Sequence, residues 1–324
     1  MHALITGAAG QDGIVLSQLL LADGYRVTGL VKPGTPTATL LRYAAAITIV
    51  EGDLGDFEEV RSTVVGLEPD EIYNLGGISS IMESVNFPEM THQVNVGAVE
   101  AILLAMTQMK SKSPRFVQAA SGTIFEGTEI SPQNEFSPRS PKTPYAIAKA
   151  ESLQLIDVAR GGGLFATAAI LYNHESPLRG SGFVTRRITE AAARIAAGQQ
   201  EYLELGNVDV SRDWGWAPDY VRGMRLIMVA ESPHDYVLAT GESHELTEFI
   251  ELAFQAAGIT DWQSVVRAKD ELRRATDPTL LRGDSTRAYT ELGWQHTKNF
   301  AQIAEAMVSY DVKLLNDPAA LWHE

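Results

Sequence analysis

A serine, a tyrosine and a lysine in the middle of the chain have the side chains and the spacing that alcohol oxidation requires. Tyr145 and Lys149 are four residues apart, so on a helix they share one face. There the lysine ammonium can lower the pKa of the phenol and hold the sugar edge of a nicotinamide. Ser121, at the end of the mostly apolar run 116–120, can hydrogen-bond the same substrate hydroxyl. Together the three residues predict a proton shuttle between a hydroxyl and a ketone.

The start of the chain predicts a dinucleotide-binding unit, which favours a redox site over a solvated helix face as the interpretation of the tyrosine and lysine. An apolar run at 3–6 is followed by Gly7, Gly10 and Gly13 and then by a helical pattern. Strand, glycine turn and helix in this order let the backbone approach a pyrophosphate at the helix N-terminus. The spacing G-x-x-G-x-x-G is typical of short-chain dehydrogenase-like proteins.

The end of the second predicted strand bears on the choice of cofactor. NAD sites place an acidic residue about 20 positions after the glycines, whereas sites for a 2′-phosphate replace it with a base. The strand 25–31 is followed by Lys32 and no acid, so NADP(H) is favoured, with NAD as the alternative. Lys32 could equally be an ordinary loop lysine. Asp53, after the third predicted strand, could accept from an adenine amino group or cap the next helix, near Asp56.

Composition limits the classes of partner. The chain has 324 residues, 26 Lys and Arg against 41 Asp and Glu, and a formal net charge of -15, which disfavours nucleic acid and anionic membranes. It has no cysteine, which excludes disulfides and thiolate metal sites, and we expect no metal centre. No apolar run approaches the roughly 20 residues of a membrane span. With no signal peptide before the first strand, we expect a cytoplasmic protein.

The order of elements predicts the fold class. Strands alternate with helices up to residue 172, which predicts an α/β fold with a Rossmann-like, doubly wound parallel sheet of six strands. Residues 173–324 change character and predict a smaller, mixed α/β substrate lobe, with some chain returning to the first domain. In this acidic chain, several arginines in loops and at helix starts are placed to hold an anion. They are Arg179, Arg186, Arg187, Arg212, Arg273 and Arg274.

Several motifs resemble the GDP-mannose 4,6-dehydratase group of extended short-chain dehydrogenases, and the likeness covers essentially the whole chain. They include Gly10-Gln11-Asp12-Gly13, Tyr73-Asn74-Leu75, Asn173-His174-Glu175-Ser176-Pro177, Phe183-Val184-Thr185-Arg186 and Arg212-Asp213-Trp214-Gly215. The resemblance implies a GDP-linked sugar as substrate and bound NADP as cofactor. It implies oxidation of the sugar at C4, elimination of water across C5 and C6, and return of the hydride to C6.

The resemblance also implies roles for individual residues. Those expected to contact the cofactor are Gly7, Gly10, Gln11, Asp12, Gly13, Lys32, Asp53, Leu54, Leu75, Gly76, Tyr145, Lys149 and Leu171. Those expected to contact the nucleotide sugar are Ser79, Asn173, Glu175, Val184, Arg187, Gly206, Arg212, Arg274 and Asp277. Arg187 stands where the family has lysine, and Asp277 where it has glutamate.

The candidate catalytic residues depart from the family at Thr123. The family places a glutamate two residues after the catalytic serine or threonine, where it takes the C5 proton and helps the C6 hydroxyl leave. A threonine hydroxyl cannot be that base near neutral pH, although Glu126 could replace it if the loop is shifted. The turn 121–125 instead resembles that of NDP-sugar 4-epimerases. We therefore favour epimerisation at C4, with 4,6-dehydration as the alternative and a non-catalytic nucleotide-sugar or NADPH-binding protein as the remote one.

The expected assembly is a homodimer, with the helix predicted at 94–109 in the subunit interface. Family members carry paired arginines and serines after the second strand, which contact the cofactor of a neighbouring subunit. Residues 32–36 of this chain read Lys-Pro-Gly-Thr-Pro instead. A tetramer is therefore less expected than a dimer.

Overall fold

Alternating strands and helices build one parallel sheet and, beyond it, a smaller lobe. The computed structural model describes residues 1–109, 111–268 and 280–322. The strands are β1 His2–Thr6, β2 Arg26–Val31, β3 Thr48–Glu51, β4 Glu71–Asn74, β5 Arg115–Ser121, β6 Phe165–Leu171, β7 Asn173–Glu175, β8 Leu203–Leu205, β9 Ser211–Arg212, β10 Trp214–Trp216, β11 Tyr236–Leu238, β12 His244–Glu245, β13 Val266–Ala268 and β14 Leu280–Leu281.

The helices interleave with these strands. They are α1 Gln11–Ala22, α2 Ala38–Tyr43, α3 Phe57–Leu67, α4 Ile81–Asn86, α5 Pro88–His92, α6 Ala98–Gln108, α7 Pro144–Gly161, α8 Val184–Ala196, α9 Ala217–Val229, α10 Leu246–Ala256, α11 Thr286–Leu292 and α12 Phe300–Asn316. A π-helical turn, Gln93–Gly97, precedes α6, and a 3₁₀ turn, Gly122–Phe125, follows β5. None of the described helices is long and apolar enough to cross a membrane.

The main sheet has seven parallel strands in the order β11-β6-β5-β4-β1-β2-β3. The prediction of a doubly wound α/β sheet is confirmed, but the number of strands is wrong. The seventh strand, β11, comes from the second half of the chain and pairs with β6. It is only three residues long, so its local sequence carries little strand signal. Because the connections leave β1 in both directions, a crevice opens at the carboxyl ends of β1 and β4.

The second lobe has its own core and three small sheets, β10-β7, β12-β9-β14 and β13-β8. Helices α8, α10 and α12 contribute the buried face, with Ile188, Phe249 and Ile303 fully enclosed. Trp214 stacks on Phe300 with ring centroids 5.6 Å apart. This core lies directly under β9 and β10, which carry the Arg212-Asp213-Trp214-Gly215 motif.

The fully buried carboxylate of Asp219, in α9, hydrogen-bonds the chain that follows α11. Asp219 accepts hydrogen bonds from the Thr297 amide at 2.8 Å and the Thr297 hydroxyl at 2.9 Å, and it pairs with Arg222. The Trp294 indole donates to the Asp219 carbonyl at 2.6 Å. Because α9 packs on α1, this junction supports the helix that follows the glycine turn.

We expect Asp219→Ala to lower the free energy of unfolding by about 3 kcal/mol, because buried donors lose their acceptor. Urea unfolding followed by circular dichroism measures the change. Glu129→Ala, at an exposed carboxylate, is the control and should shift the free energy by no more than about 0.5 kcal/mol. Equal effects of the two substitutions would contradict the role assigned to Asp219.

Candidate active site

The turn after β5 presents two hydroxyls at the carboxyl edge of the sheet. The Thr123 hydroxyl donates to Ser121 Oγ at 3.0 Å, and the Thr123 amide lies 3.3 Å from the same oxygen. Ser121 is the N-cap of this 3₁₀ turn. Its backbone is extended, and its side chain accepts from the Thr123 amide. Thr123 thus lies within hydrogen-bonding reach of the predicted catalytic serine.

Tyr145 lies in the first turn of α7, opposite Ser121. Thr143 caps this helix by accepting from the Ala146 amide, and Pro144 occupies the first helical position, where its missing amide hydrogen costs nothing. Burial raises the pKa of the Tyr145 phenol, while a hydrogen bond with Ser121 and the charge of Arg179 act in the opposite direction. The predicted lowering of this pKa by Lys149 is wrong here, because burial has the largest effect and the opposing effects come from Ser121 and Arg179.

Lys149 lies one turn further along α7, with only 5% of its surface exposed. Its ammonium donates to the Ala119 carbonyl at 2.7 Å and lies 5.8 Å from the centre of the Tyr145 ring. Burial lowers the pKa of Lys149 to about 8. The shared helix face predicted from the sequence is therefore present, with the ammonium anchored to the end of β5.

The glycine turn joins β1 to α1 in a conformation that side chains would block. Gly7 has φ +65°, and a Cβ there would lie 2.7 Å from Gly76 Cα. A Cβ on Gly13 would lie 2.5 Å from the Gly7 carbonyl oxygen. Gly10 precedes the first turn of α1, where helix amides point outward. The cradle that results fits a dinucleotide diphosphate at a helix N-terminus.

The other predicted cofactor residues follow successive strands of the sheet. Lys32 follows β2, and its ammonium is 3.9 Å from the Asp53 carboxylate beyond β3. Asp53 itself accepts from the Gly55 amide at 2.8 Å, whereas the cap of α3 is Asp56. Leu54, Leu75, Gly76 and Leu171 also lie at this edge, after β3, β4 and at the end of β6. A cavity of about 640 Å³ borders Lys32 and Asp53.

Glu175 and Arg179 form an ion pair on the substrate-lobe side of the crevice. The Glu175 carboxylate is 3.3 Å from Arg179 Nε and accepts from the Thr185 hydroxyl at 2.7 Å. The Arg179 guanidinium lies 3.6 Å from the centre of the Phe183 ring. Sequence reasoning placed Arg179 in a set of anion-binding arginines but did not foresee that its charge acts on Tyr145.

Arg212 directly precedes Asp213, whose buried carboxylate ties this segment to the chain around Thr240 and Gly283. Asp213 accepts from the Thr240 amide, the Thr240 hydroxyl, the Gly241 amide and the Gly283 amide at 2.7–3.2 Å. Arg212 donates to its neighbour's carbonyl, at Ser211, and its charge lowers the pKa of Glu126. Burial is the larger effect on Glu126 and raises that pKa overall.

The remaining predicted substrate residues are dispersed. Asn173 and Ser79 are exposed beyond β6 and β4, and Val184 begins α8. Arg187 donates to the carbonyl of Glu204 in β8 at 2.7 Å, and Gly206 follows that strand.

The anion-binding role predicted for Arg186 is wrong, because its buried guanidinium pairs with Asp311 and Glu190. Arg273, Arg274 and Asp277 lie outside the described residues. No cluster of metal-ligating side chains occurs in the ranges described.

The site residues that sequence reasoning missed link the glycine turn to the substrate lobe. His174 contacts Asp12, and Ser176 contacts Gln11. The partners are more than 160 positions apart in the chain, so no local pattern could indicate them. The only available signal was the Asn-His-Glu-Ser-Pro block, whose histidine and serine had no assigned role.

A parallel sheet with this glycine turn, and with serine, tyrosine and lysine at its carboxyl edge, defines an extended short-chain dehydrogenase/reductase. The family model for GDP-mannose 4,6 dehydratase matches residues 4–307. GDP-mannose 4,6 dehydratase 1 of Arabidopsis thaliana is 37% identical and covers 96% of this chain and 90% of its own length. The Homo sapiens enzyme is 36% identical, with coverages of 97% and 92%. The chain therefore belongs to the GDP-mannose 4,6-dehydratase family and is a nucleotide-sugar-modifying enzyme.

Solved structures with lower identity share the fold. UDP-glucose 4-epimerase of Thermotoga maritima with UDP-glucose superposes with a TM-score of 0.86 at 22% identity, covering 97% of this chain and 100% of that one. DesIV, a dTDP-glucose 4,6-dehydratase of Streptomyces venezuelae with NAD bound, gives 0.85 at 22% identity, covering 99% and 100%. RMD of Pseudomonas aeruginosa, complexed with NADPH, gives 0.79 at 23%, covering 96% and 99%. Both epimerases and dehydratases thus use this fold, and the last two of these neighbours were solved with NAD and with NADPH.

Replacing Lys149 with methionine should raise stability at neutral pH and remove a pH dependence. A folded-state pKa of about 8, below the usual value of 10.5, means that the unfolded chain binds more protons between these pH values. Stability attributable to Lys149 therefore rises across that window, by at most about 3 kcal/mol. Urea unfolding from pH 7 to 10 should give Lys149→Met a larger free energy of unfolding than the wild type at pH 7. The difference between the two proteins should narrow as pH rises. A constant gap would contradict the buried, shifted lysine.

Proposed function

We propose that this enzyme oxidises C4 of a GDP-linked hexose with NADP(H) as cofactor. The observation that carries the proposal is the buried arrangement of Ser121, Tyr145 and Lys149 beside the glycine turn. Tyr145 accepts the proton of the C4 hydroxyl, and Ser121 hydrogen-bonds the same oxygen. Lys149 holds the ribose of the nicotinamide. When bound, the cofactor supplies a hydride acceptor at C4 and later a hydride donor.

The GDP-linked substrate and the NADP cofactor are supported by different observations. The relatives matched over nearly the whole chain are named for GDP-mannose. Asn173, Arg187 and Arg212 then hold the diphosphate, since guanidinium groups match phosphate oxygens in geometry and charge. Lys32, at the end of β2, is 69% exposed and available to a 2′-phosphate, which favours NADP over NAD.

The second half-reaction that we propose is 4,6-dehydration. Epimerisation was favoured from the sequence because Thr123 cannot act as a base, but relatives 33–37% identical are all named as dehydratases. Glu126 supplies the missing carboxylate. It follows the 3₁₀ turn, its charge acts on Tyr145, and burial raises its pKa toward the range of a general acid–base group.

The elimination balances with Glu126 in this role. With C4 oxidised, the C5 hydrogen becomes acidic and leaves as a proton to the Glu126 carboxylate, while the C6–O bond breaks. The same proton passes from Glu126 to the departing hydroxide, which leaves as water. The hydride returns to C6, and the proton held by Tyr145 goes back to C5. The product is a 4-keto-6-deoxy sugar.

Epimerisation at C4 is the second candidate, and one observation favours it. Thr123 is hydrogen-bonded to Ser121 at the position where the resemblance places a glutamate. In that case Glu126, which accepts from the Lys142 amide at 3.2 Å and the Thr143 hydroxyl at 3.5 Å, has a structural role in the segment before α7. In an epimerase the keto sugar would turn within the site and be reduced on its other face.

The expected homodimer and the cytoplasmic location stay predictions. Exposed Met82, Val85, Phe87 and Met90 on α4 and α5 would suit a subunit contact. Helix α6 has its predicted place in the chain, but most of it is buried within the subunit.

Tyr145→Phe should lower turnover of GDP-mannose by at least about 10³-fold, because the phenol oxygen that accepts the C4 proton is gone. The variant should still bind NADPH. Fluorescence titration with NADPH and, for comparison, with NADH measures this binding. Product mass then decides the outcome for the wild type: loss of water supports dehydration, whereas unchanged mass with altered C4 configuration supports epimerisation. Near-normal turnover in Tyr145→Phe would overturn the proposed chemistry.

Glu126→Gln separates the two half-reactions. Oxidation at C4 should persist, seen as absorbance of reduced nicotinamide in a single turnover, while water loss should slow by about 10²–10⁴-fold. Glu129→Gln, three residues further on and exposed, is the matched control and should leave both steps unchanged. If Glu126 has only a structural role, both half-reactions should fall together or neither should change, and the acid–base role is then refuted.

A further inference from the structure

Three hydrogen bonds join the first turn of α1 to the segment after β6, and a fourth lies within that turn. The Gln11 amide donates to the His174 carbonyl at 3.1 Å, and Ser176 donates to Gln11 Oε1 at 2.8 Å. His174 Nε2 lies 2.9 Å from Asp12 Oδ2, and Gln11 also donates to Asp12 Oδ1 at 3.1 Å. The glycine turn and the substrate lobe are therefore connected through one buried polar network.

With Asp12 ionised, as its lowered pKa favours, the partners of His174 require both ring nitrogens to carry hydrogen. Nδ1 lies 2.7 Å from the Tyr172 carbonyl, which can only accept, and Nε2 faces the Asp12 carboxylate. A neutral ring would leave one of these acceptors facing a lone pair. His174 is thus an imidazolium paired with an ionised Asp12, in a site where 8% of the histidine surface is exposed.

Groups from three elements surround the His174 ring, and two of them are charged. Asp12 belongs to α1, Arg179 to the loop after β7, and the Tyr220 ring of α9 stacks on the imidazole at 4.6 Å. Burial opposes the charged form of His174, but Asp12 outweighs it and raises the pKa, while Arg179 lowers it. His174 and Arg179 hold the pKa of Asp12 below its usual value against the effect of burial. Tyr220 is neutral, because burial and nearby carboxylates, including Glu175, raise its pKa.

The position of Asp12 creates an electrostatic problem for cofactor binding. A carboxylate in the first turn of a helix is favourable for the helix, but that same N-terminus is where a dinucleotide diphosphate binds. Two anions at one helix terminus repel each other, the more so where water is excluded. The imidazolium is the group within hydrogen-bonding distance that cancels the carboxylate charge.

We propose that His174 is a positioning residue whose positive charge neutralises Asp12 at the cofactor diphosphate site and ties that site to the substrate lobe. It has this role only if the chain binds a nicotinamide dinucleotide, as proposed above. Its effect is on binding rather than on the reacting atoms. The charge is present below the raised pKa of His174 and is lost as pH rises through it, so cofactor affinity weakens in that direction.

Charge-altering variants distinguish compensation from simple packing. His174→Gln keeps a donor toward Asp12 but removes the charge, so the Kd for NADPH, measured by fluorescence, should rise about tenfold at pH 7. The double variant Asp12→Asn with His174→Gln removes both charges and should return the Kd to within about threefold of the wild type. A double variant as weak as His174→Gln, or a single variant equal to the wild type, would overturn the proposal.

His2→Gln is the matched control for loss of a buried histidine. His2 has 3% of its surface exposed, and its ring contacts Thr28 at 2.9 Å and Arg26 at 2.7 Å at the other end of β1. This variant should lose stability without changing the Kd for NADPH. If the wild type itself does not bind NADPH, the proposed cofactor fails. If the wild type binds NADPH and the His174 variants have the same Kd, only the role of His174 is contradicted.

Nuclear magnetic resonance of the wild type tests the charge without any substitution. The His174 ring should be doubly protonated at pH 7 and titrate above about 6.5, the usual value. His2 should titrate below it, because burial and Arg26 lower its pKa. NADPH binding should raise the His174 midpoint further, since binding and protonation are linked. A His174 ring that is neutral at pH 7 would overturn the proposal even if every variant unfolded.

Discussion

The close approach of two backbone segments at the carboxyl edge of the sheet is the constraint on which the site depends. The glycine turn lies directly against the end of β4, so that a Cβ on Gly7 would overlap Gly76 and one on Gly76 would lie 2.4 Å from Leu54. This contact leaves room for a dinucleotide and fixes the first turn of α1. Through Gln11 and Asp12, the same turn sets the position of residues 174–176.

Burial then gives the ionisable groups their character. It disfavours the phenolate of Tyr145 and the ammonium of Lys149. The pKa of Tyr145 is therefore raised and that of Lys149 is lowered. The cation that opposes this effect on Tyr145 is Arg179, which lies outside α7 in the loop after β7. The substrate lobe therefore supplies part of the electrostatics of the oxidation site as well as a surface for the sugar nucleotide.

Local patterns in the sequence were enough to predict the first strand, the glycine turn, helix α7 and the shared face of Tyr145 and Lys149. These features depend on residues less than one or two turns apart. What the sequence could not reveal depends on distant pairing. The short strand β11 exists because β6 offers an edge, and Arg186 is drawn into the core by Asp311, 125 positions away. An arginine at a helix start looks the same in sequence whether it faces a phosphate or a buried carboxylate.

The order of the two candidate reactions depends on Thr123, which stands where the resemblance implies a catalytic glutamate. Whole-chain identity records ancestry, and a family can change its second half-reaction while keeping C4 oxidation, because both outcomes share Ser121, Tyr145 and Lys149. Against such a change, this chain has a carboxylate three residues beyond Thr123, and burial has moved its pKa in the direction that acid–base catalysis needs. The proposal of elimination therefore rests on whole-chain identity and on the position of Glu126 after the 3₁₀ turn, where its charge reaches Tyr145.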